Sequence, residues 1–302
     1  MASSRKTLGK KAPAVNVGLT LDSNQPRPAG VRKFKFIGCE ILYREACHLA
    51  AAGRHQVDVE FLLKGLHDLP REDMLAKLQA TIDAVPLDAG YEAILLGYAR
   101  CNDGLAGLTA RTIPMVIPRA HDCITLFFGS RAAFGRYFDA HPGTYYMTSG
   151  WAERNRFEEG SYSTPAYGQQ GVMGRLGLAE PYEQMVAKYG KENADYLVET
   201  LGGWAKAYSR LLYLKMNVCD ETPFMEEASR RAKERHWELV VQEGDWSLLH
   251  RLFAGEWDED FLVVPPGHRI VARNDGEILE SRKDQGRCAE GLKPAGPVAP
   301  SR

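Results

Sequence analysis

Residues 34–42 read FKFIGCEIL, an apolar run of aromatic and β-branched side chains interrupted by Lys35, Gly38 and the Cys39, Glu40 pair. After Tyr43, residues 44–53, REACHLAAAG, switch to helical spacing. A short apolar run followed at once by a helical pattern is the opening of a βα unit. Whether the chain repeats that unit decides its fold.

It does repeat it. QVDVEFLL (56–63), EAILLGYA (92–99) and IPMVIP (113–118) are further strand candidates, and REDMLAKLQATIDAVP (71–86) opens after a proline with acidic residues in its first turn, as helix starts prefer. Later, GTYYMTSG (143–150), RLLYLKM (210–216), HWELVVQE (236–243) and DFLVVPPG (260–267) alternate with the helical patterns of 181–209, 223–235 and 245–257. Alternation of this kind predicts an α/β fold with mainly parallel sheets flanked by helices. We expect two similar lobes, 31–142 and 143–273, with a cleft between them; one larger α/β domain is the alternative. Residues 151–181, rich in Gly, Tyr and polar side chains, read as a long loop between the lobes.

The chain has 302 residues, 44% hydrophobic and 25% charged, with a formal net charge of −1. That balance offers no basic surface for nucleic acid, and no apolar run approaches the roughly 20 residues of a membrane helix. Residues 1–30 are basic and rich in Gly, Pro and Ser without the apolar core of a secretory signal, and 274–302 are similarly polar. Both segments are expected to lie outside the packed fold.

Six cysteines, at 39, 47, 101, 123, 219 and 288, do not form the dense framework of a small secreted domain. A reducing, cytoplasmic setting is expected, where thiols serve as metal ligands or nucleophiles before disulfides. Cys39 ends the first strand candidate, Cys101 follows the third in LLGYARCNDGLAGL, and Cys123 follows the fourth in PRAHDCITLFFGS beside His121. The carboxyl ends of parallel strands open on one edge, where such folds bind ligands. Cys39, Cys101, His121 and Cys123 are therefore the expected metal set. Thiolate and imidazole suit zinc, three protein ligands leaving one position open for chemistry, and three cysteines alternatively suit an iron–sulfur cluster. Free cysteine is also a small buried hydrophobe, so a plain core role is the competing reading.

Other residues follow from the same address. Asp122 either orients His121 or caps the helix after it. Glu40 is the candidate general base, with Glu45 nearby, and Arg119 the candidate anion anchor. Gly104 and Gly107 would let backbone approach a ligand, or simply make a tight turn. Thr148, Ser149 and Trp151 stand at another strand end and either close over a substrate or pack as a turn.

Together, IGCEIL, LLGYARCNDGLAGL, PRAHDCITLFFGS, GTYYMTSGW and GDWSLLHRLFAGEWDEDFLVVPPG resemble the bacterial and archaeal family known as domain of unknown function 1638. The resemblance spans about residues 34–268 and names no reaction. Its members are often encoded near corrinoid proteins and corrinoid-dependent methyltransferases. The resemblance thus implies a corrinoid protein or methyltransferase as partner, a small-molecule substrate, and one-carbon or methyl-transfer metabolism. A non-catalytic small-molecule or partner-binding module is the alternative.

Overall fold

The computed structural model describes residues 27–100, 103–155, 182–194, 196 and 208–284. The first unit runs β1 (Lys33–Cys39), α1 (Tyr43–Ala52), β2 (Gln56–Leu62), α2 (Arg71–Asp83), β3 (Ala93–Gly97) and β4 (Met115–Pro118). β1, β3 and β4 are almost wholly buried, as their continuous apolar runs demand. β2 instead mixes Asp58 and Glu60 with apolar residues. It lies at the sheet edge, where Lys33 and Lys35 of β1 reach those carboxylates at 3.7 and 2.8 Å.

These strands pair in parallel in the order β2-β1-β3-β4. From β1 the chain first winds to one side, to β2, and then crosses to the other, to β3. This is the doubly wound arrangement whose reversal leaves a crevice outside the carboxyl ends of the two central strands, here β1 and β3. α2 packs through Met74, Leu78 and Ile82, spaced one turn apart on its buried face.

A second sheet follows. α3 (Ile124–Phe127) and α4 (Arg131–Ala140) lead into β5 (Thr144–Thr148), α5 (Ser149–Asn155), α6 (Tyr182–Tyr189), β6 (Arg210–Lys215), α7 (Thr222–Arg235) and β7 (Glu238–Glu243). β5, β6 and β7 are parallel neighbours in that order. Alternation along β6 sends Leu212 and Leu214 into the main core and Leu211 and Tyr213 toward Phe224, Ala228 and Ala232 of α7. The two sheets therefore share one hydrophobic core through a face of β6.

The chain then returns. α8 (Ser247–Ala254) buries Leu248, Leu249, Leu252 and Phe253 in the main core, each worth about 2 kcal/mol of apolar burial. β8 (Phe261–Val264) pairs antiparallel with β4, making the first sheet five-stranded. Its apolar run FLVV carries no mark of which sheet it joins, so the boundary expected near residue 142 does not separate the strands. One sheet has five strands and the other three, and the chain crosses between them twice.

The stretch after residue 273 also packs in part. β9 (His268–Ala272) and β10 (Leu279–Lys283) form an antiparallel hairpin with Ile278 and Leu279 buried. Only those two apolar side chains anchor β10, too few to stand out in a polar sequence. Of the long loop expected at 151–181, residues 151–155 belong to α5 and the rest lies outside the described residues. Among the described residues no helix is long and apolar enough to cross a membrane.

Candidate functional site

At the crevice between β1 and β3, Gly38 and Gly97 stand opposite each other in register. Just beyond them a small cavity is lined by Cys39, Ile41, Lys64, Leu66, Gly97, Tyr98, Cys123 and Trp151. Its volume is about 20 Å³, room for about one water molecule. Four separate chain segments after strands β1, β2, β3 and β4 meet there, and Trp151 of α5 adds a wall from the second sheet.

Each wall has a local cause. Cys39 is the last residue of β1 and is 8% exposed. Cys123 follows β4 through a turn fixed by Asp122, whose carboxylate accepts from the Thr125 N–H at 3.2 Å and so caps α3. Burial pushes the Asp122 carboxyl up, against those hydrogen bonds that favour its charge. Lys64, nearly buried, is held by its own backbone N–H, which donates to Glu40 Oε1 at 2.7 Å. The other Glu40 oxygen lies 3.6 Å from Arg154 of α5. Glu40 thus stands directly behind the cavity, binding two of its walls.

The remaining expected residues are placed as follows. Cys101 lies outside the described residues, but the N–H of its neighbour Arg100 donates to Ala120 O at 2.9 Å, beside the turn that carries Cys123. His121 is exposed. Arg119 donates to the carbonyls of Phe261, Glu277 and Leu279 and pairs with Glu277 at 3.0 Å, tying β4 to β8 and the β9–β10 hairpin. A Cβ at Gly104 would overlap Met74, and Gly107, at φ +109°, sits against Leu75, so both glycines admit α2 to the β3–β4 connection. Among the described residues no three His, Cys, Asp or Glu side chains form a metal-binding group.

Lys64 and Tyr98 escaped the sequence reading, although both follow strand candidates. Counting strand-end positions for every residue type, and not for cysteine alone, finds them.

A second cluster stands where α1 meets α5. Arg44 forms a two-pronged ion pair with Glu153, both contacts at 2.9 Å. Beneath it, Glu45 is fully buried and neither of its carboxylate oxygens has a partner from another of the described residues; the buried Ser149 hydroxyl likewise has no partner among them. Burial pushes the Glu45 carboxyl up to about 7 against a hydrogen bond from its own backbone N–H, with Glu221 and Glu153 adding to the rise and Arg44 opposing it.

The fold and cavity define a doubly wound α/β protein with two cysteines in a small strand-end pocket. The chain belongs to the family described as protein of unknown function (DUF1638), whose profile matches residues 61–253. That match takes in Gly97, Cys123 and Trp151 and begins after Cys39. No curated protein and no solved structure gives a match.

Proposed function

We propose that the strand-end cavity is a thiolate metal centre, zinc being the first choice, that serves methyl-transfer chemistry. One observation carries the reading: Cys39 and Cys123, 84 positions apart in sequence by their numbering, line a single cavity of about 20 Å³. A space of that size suits an ion or a water and not an organic molecule. Two sulfur donors suit a soft or borderline metal. Cys101 and His121 are the candidates to complete the set, Cys101 because Arg100 is bonded to the turn before Cys123.

Charge supports the same assignment. Three thiolates around a divalent cation leave one net negative charge, and the nearly buried Lys64 supplies a positive one at the cavity wall. Thiolate-bound zinc lowers the pKa of a coordinated thiol or water and keeps it nucleophilic near neutral pH. The chain's own residues hold that position: Lys64 offsets charge, Trp151 walls off bulk water, and Glu40 fixes the Lys64 segment and α5 from behind the cavity. A thiol methyl acceptor and a corrinoid protein or methyltransferase as partner fit the setting that the family resemblance implies.

Metal content of anaerobically purified protein tests the reading, with wild type beside Cys39→Ser and Cys123→Ser. About one equivalent of zinc in wild type, lost in both variants, supports it. Iron with visible absorption would replace zinc by an iron–sulfur cluster on the same cysteines. Metal-free wild type overturns it and leaves a ligand-binding module whose cysteines are core residues.

A further inference from the structure

β7 is an edge strand of the second sheet: among the described residues it pairs with β6 alone. Its backbone groups alternate in direction. The N–H groups of Glu238 and of the following Gly244 donate to β6, to the carbonyls of Ser209 and Lys215, both at 2.9 Å. Residues 238, 240, 242 and 244 therefore turn their backbone groups to β6, and Leu239, Val241 and Glu243 turn theirs to the open side. No other described residue bonds the N–H or C=O of Leu239 or Val241. Their side chains are 37% and 49% exposed as well. Open edges are commonly blunted by a proline, a lysine or a bulge. The stretch LVVQ (239–242) has no proline or lysine, and its register with β6 runs unbroken. The flanking carboxylates of Glu238 and Glu243 are already paired with Arg210 and Lys215 of β6, at 2.8 and 3.5 Å.

We propose that β7 is a docking edge for a second copy of this chain, the two β7 strands pairing antiparallel about Val240 so that the two three-stranded sheets become one. The sequence selects this occupant because ELVVQ (238–242) is complementary to itself when reversed. In an antiparallel pair, opposite residues must both turn their backbone groups to the partner or both away from it, so the two-fold axis falls on a residue and not between two. With the axis at Val240, Leu239 of each copy stands opposite Val241 of the other, and these four residues exchange the free hydrogen bonds. Val240 meets its own counterpart, and each Glu238 carboxylate meets a Gln242 amide that can donate to it. Moving the axis by one residue sets Glu243 against Leu239 or Glu238 against Val240, which removes that match. Cross-strand apolar pairs then cover the two exposed side chains of each copy. The pairing is short, at the small end of specific interfaces, so a dissociation constant of about 10 to 100 µM is expected. It does not depend on the role of the strand-end cavity.

Sedimentation velocity of the full chain across that concentration range tests the proposal, with wild type beside Leu239→Lys and Val241→Glu. Wild type should pass from monomer to dimer, and each variant alone should associate at least about tenfold more weakly, because a charge then faces an apolar side chain. Mixing the two variants should restore a one-to-one dimer, since the new lysine of one copy falls opposite the new glutamate of the other. That recovery also shows that both variants fold. Residue-resolved amide exchange adds the register: with rising concentration the N–H groups of Leu239 and Val241 gain protection, while those of Val240 and Gln242 are protected throughout. A wild type that stays monomeric, with its edge open or already protected by its own chain, overturns the proposal. So does a dimer that persists in both variants, or a mixture of the variants that remains monomeric.

Discussion

Gly38 of β1 and Gly97 of β3 face each other at the reversal point of the first sheet, and the Phe36 ring lies across both. A Cβ on either glycine would overlap that ring. Phe36 is fully buried and packs on Phe61 and Phe253, with ring centroids 5.9 and 5.0 Å away, so it has nowhere to retreat. The space that two missing side chains provide is therefore filled by an aromatic ring, next to the Gly97 wall of the cavity.

Gly97→Ala is accordingly expected to destabilise the protein by about 2 kcal/mol through overpacking. Urea unfolding measures this. Wild-type stability in Gly97→Ala would contradict the packing account, and partial recovery in the double variant with Phe36→Leu would support it.

Glu45→Gln tests the buried carboxyl through global stability. Its value of about 7 in the folded protein lies above its value in the unfolded chain, near 4.5. The stability it contributes is thus complete below about 4.5 and lost as pH rises to about 7. Wild type should lose up to about 3 kcal/mol across that window, and Glu45→Gln should show a flatter profile and greater stability at pH 8. Parallel profiles for the two proteins would count against it.

Glu221 holds the turn after β6. It is 3% exposed and accepts from the Tyr213 hydroxyl at 2.8 Å and from the N–H groups of Met216 and Asn217 at 3.0 and 2.6 Å. Asn217 stands at φ 57°, a left-handed conformation that those bonds secure. Removal of the carboxylate in Glu221→Ala strands two buried donors and one part-buried one and should cost about 3 kcal/mol in thermal unfolding.

Arg119→Ala separates two roles of one arginine. The guanidinium binds three carbonyls from β8 and the hairpin region. Loss of about 2 kcal/mol of stability, with faster amide exchange in β9 and β10 and unchanged metal content, is expected. Unchanged stability with lost anion binding would restore the anchor role.

The sheet that carries the cavity was legible because its central strands are buried on both faces. Continuous apolar runs such as AILLG and MVIP have few other uses, and their alternation with helices fixed the parallel class. The strand-end address pointed Cys39 and Cys123 to one edge of the sheet, whereas Trp151, expected at another strand end, meets them only through the packing of the second sheet on the first. What escaped depended on pairing between distant segments. FLVV at 261–264 suits either sheet, and the choice rests on its register with 115–118. β10 shows only Ile278 and Leu279 as apolar anchors. The Gly104 and Gly107 turn looked open to a ligand because the sequence does not reveal that Met74 and Leu75 of α2 fill the space.

The central claim is that cysteines from two strand ends hold one metal, and the absorption of the cobalt(II)-substituted protein tests it most directly. Thiolate ligation gives intense sulfur-to-metal charge-transfer bands in the near ultraviolet, whose strength scales with the number of sulfurs bound. We expect those bands at one equivalent of cobalt, weakened in both Cys39→Ser and Cys123→Ser. Cobalt that binds without charge-transfer absorption, or bands unchanged in either variant, would contradict the account.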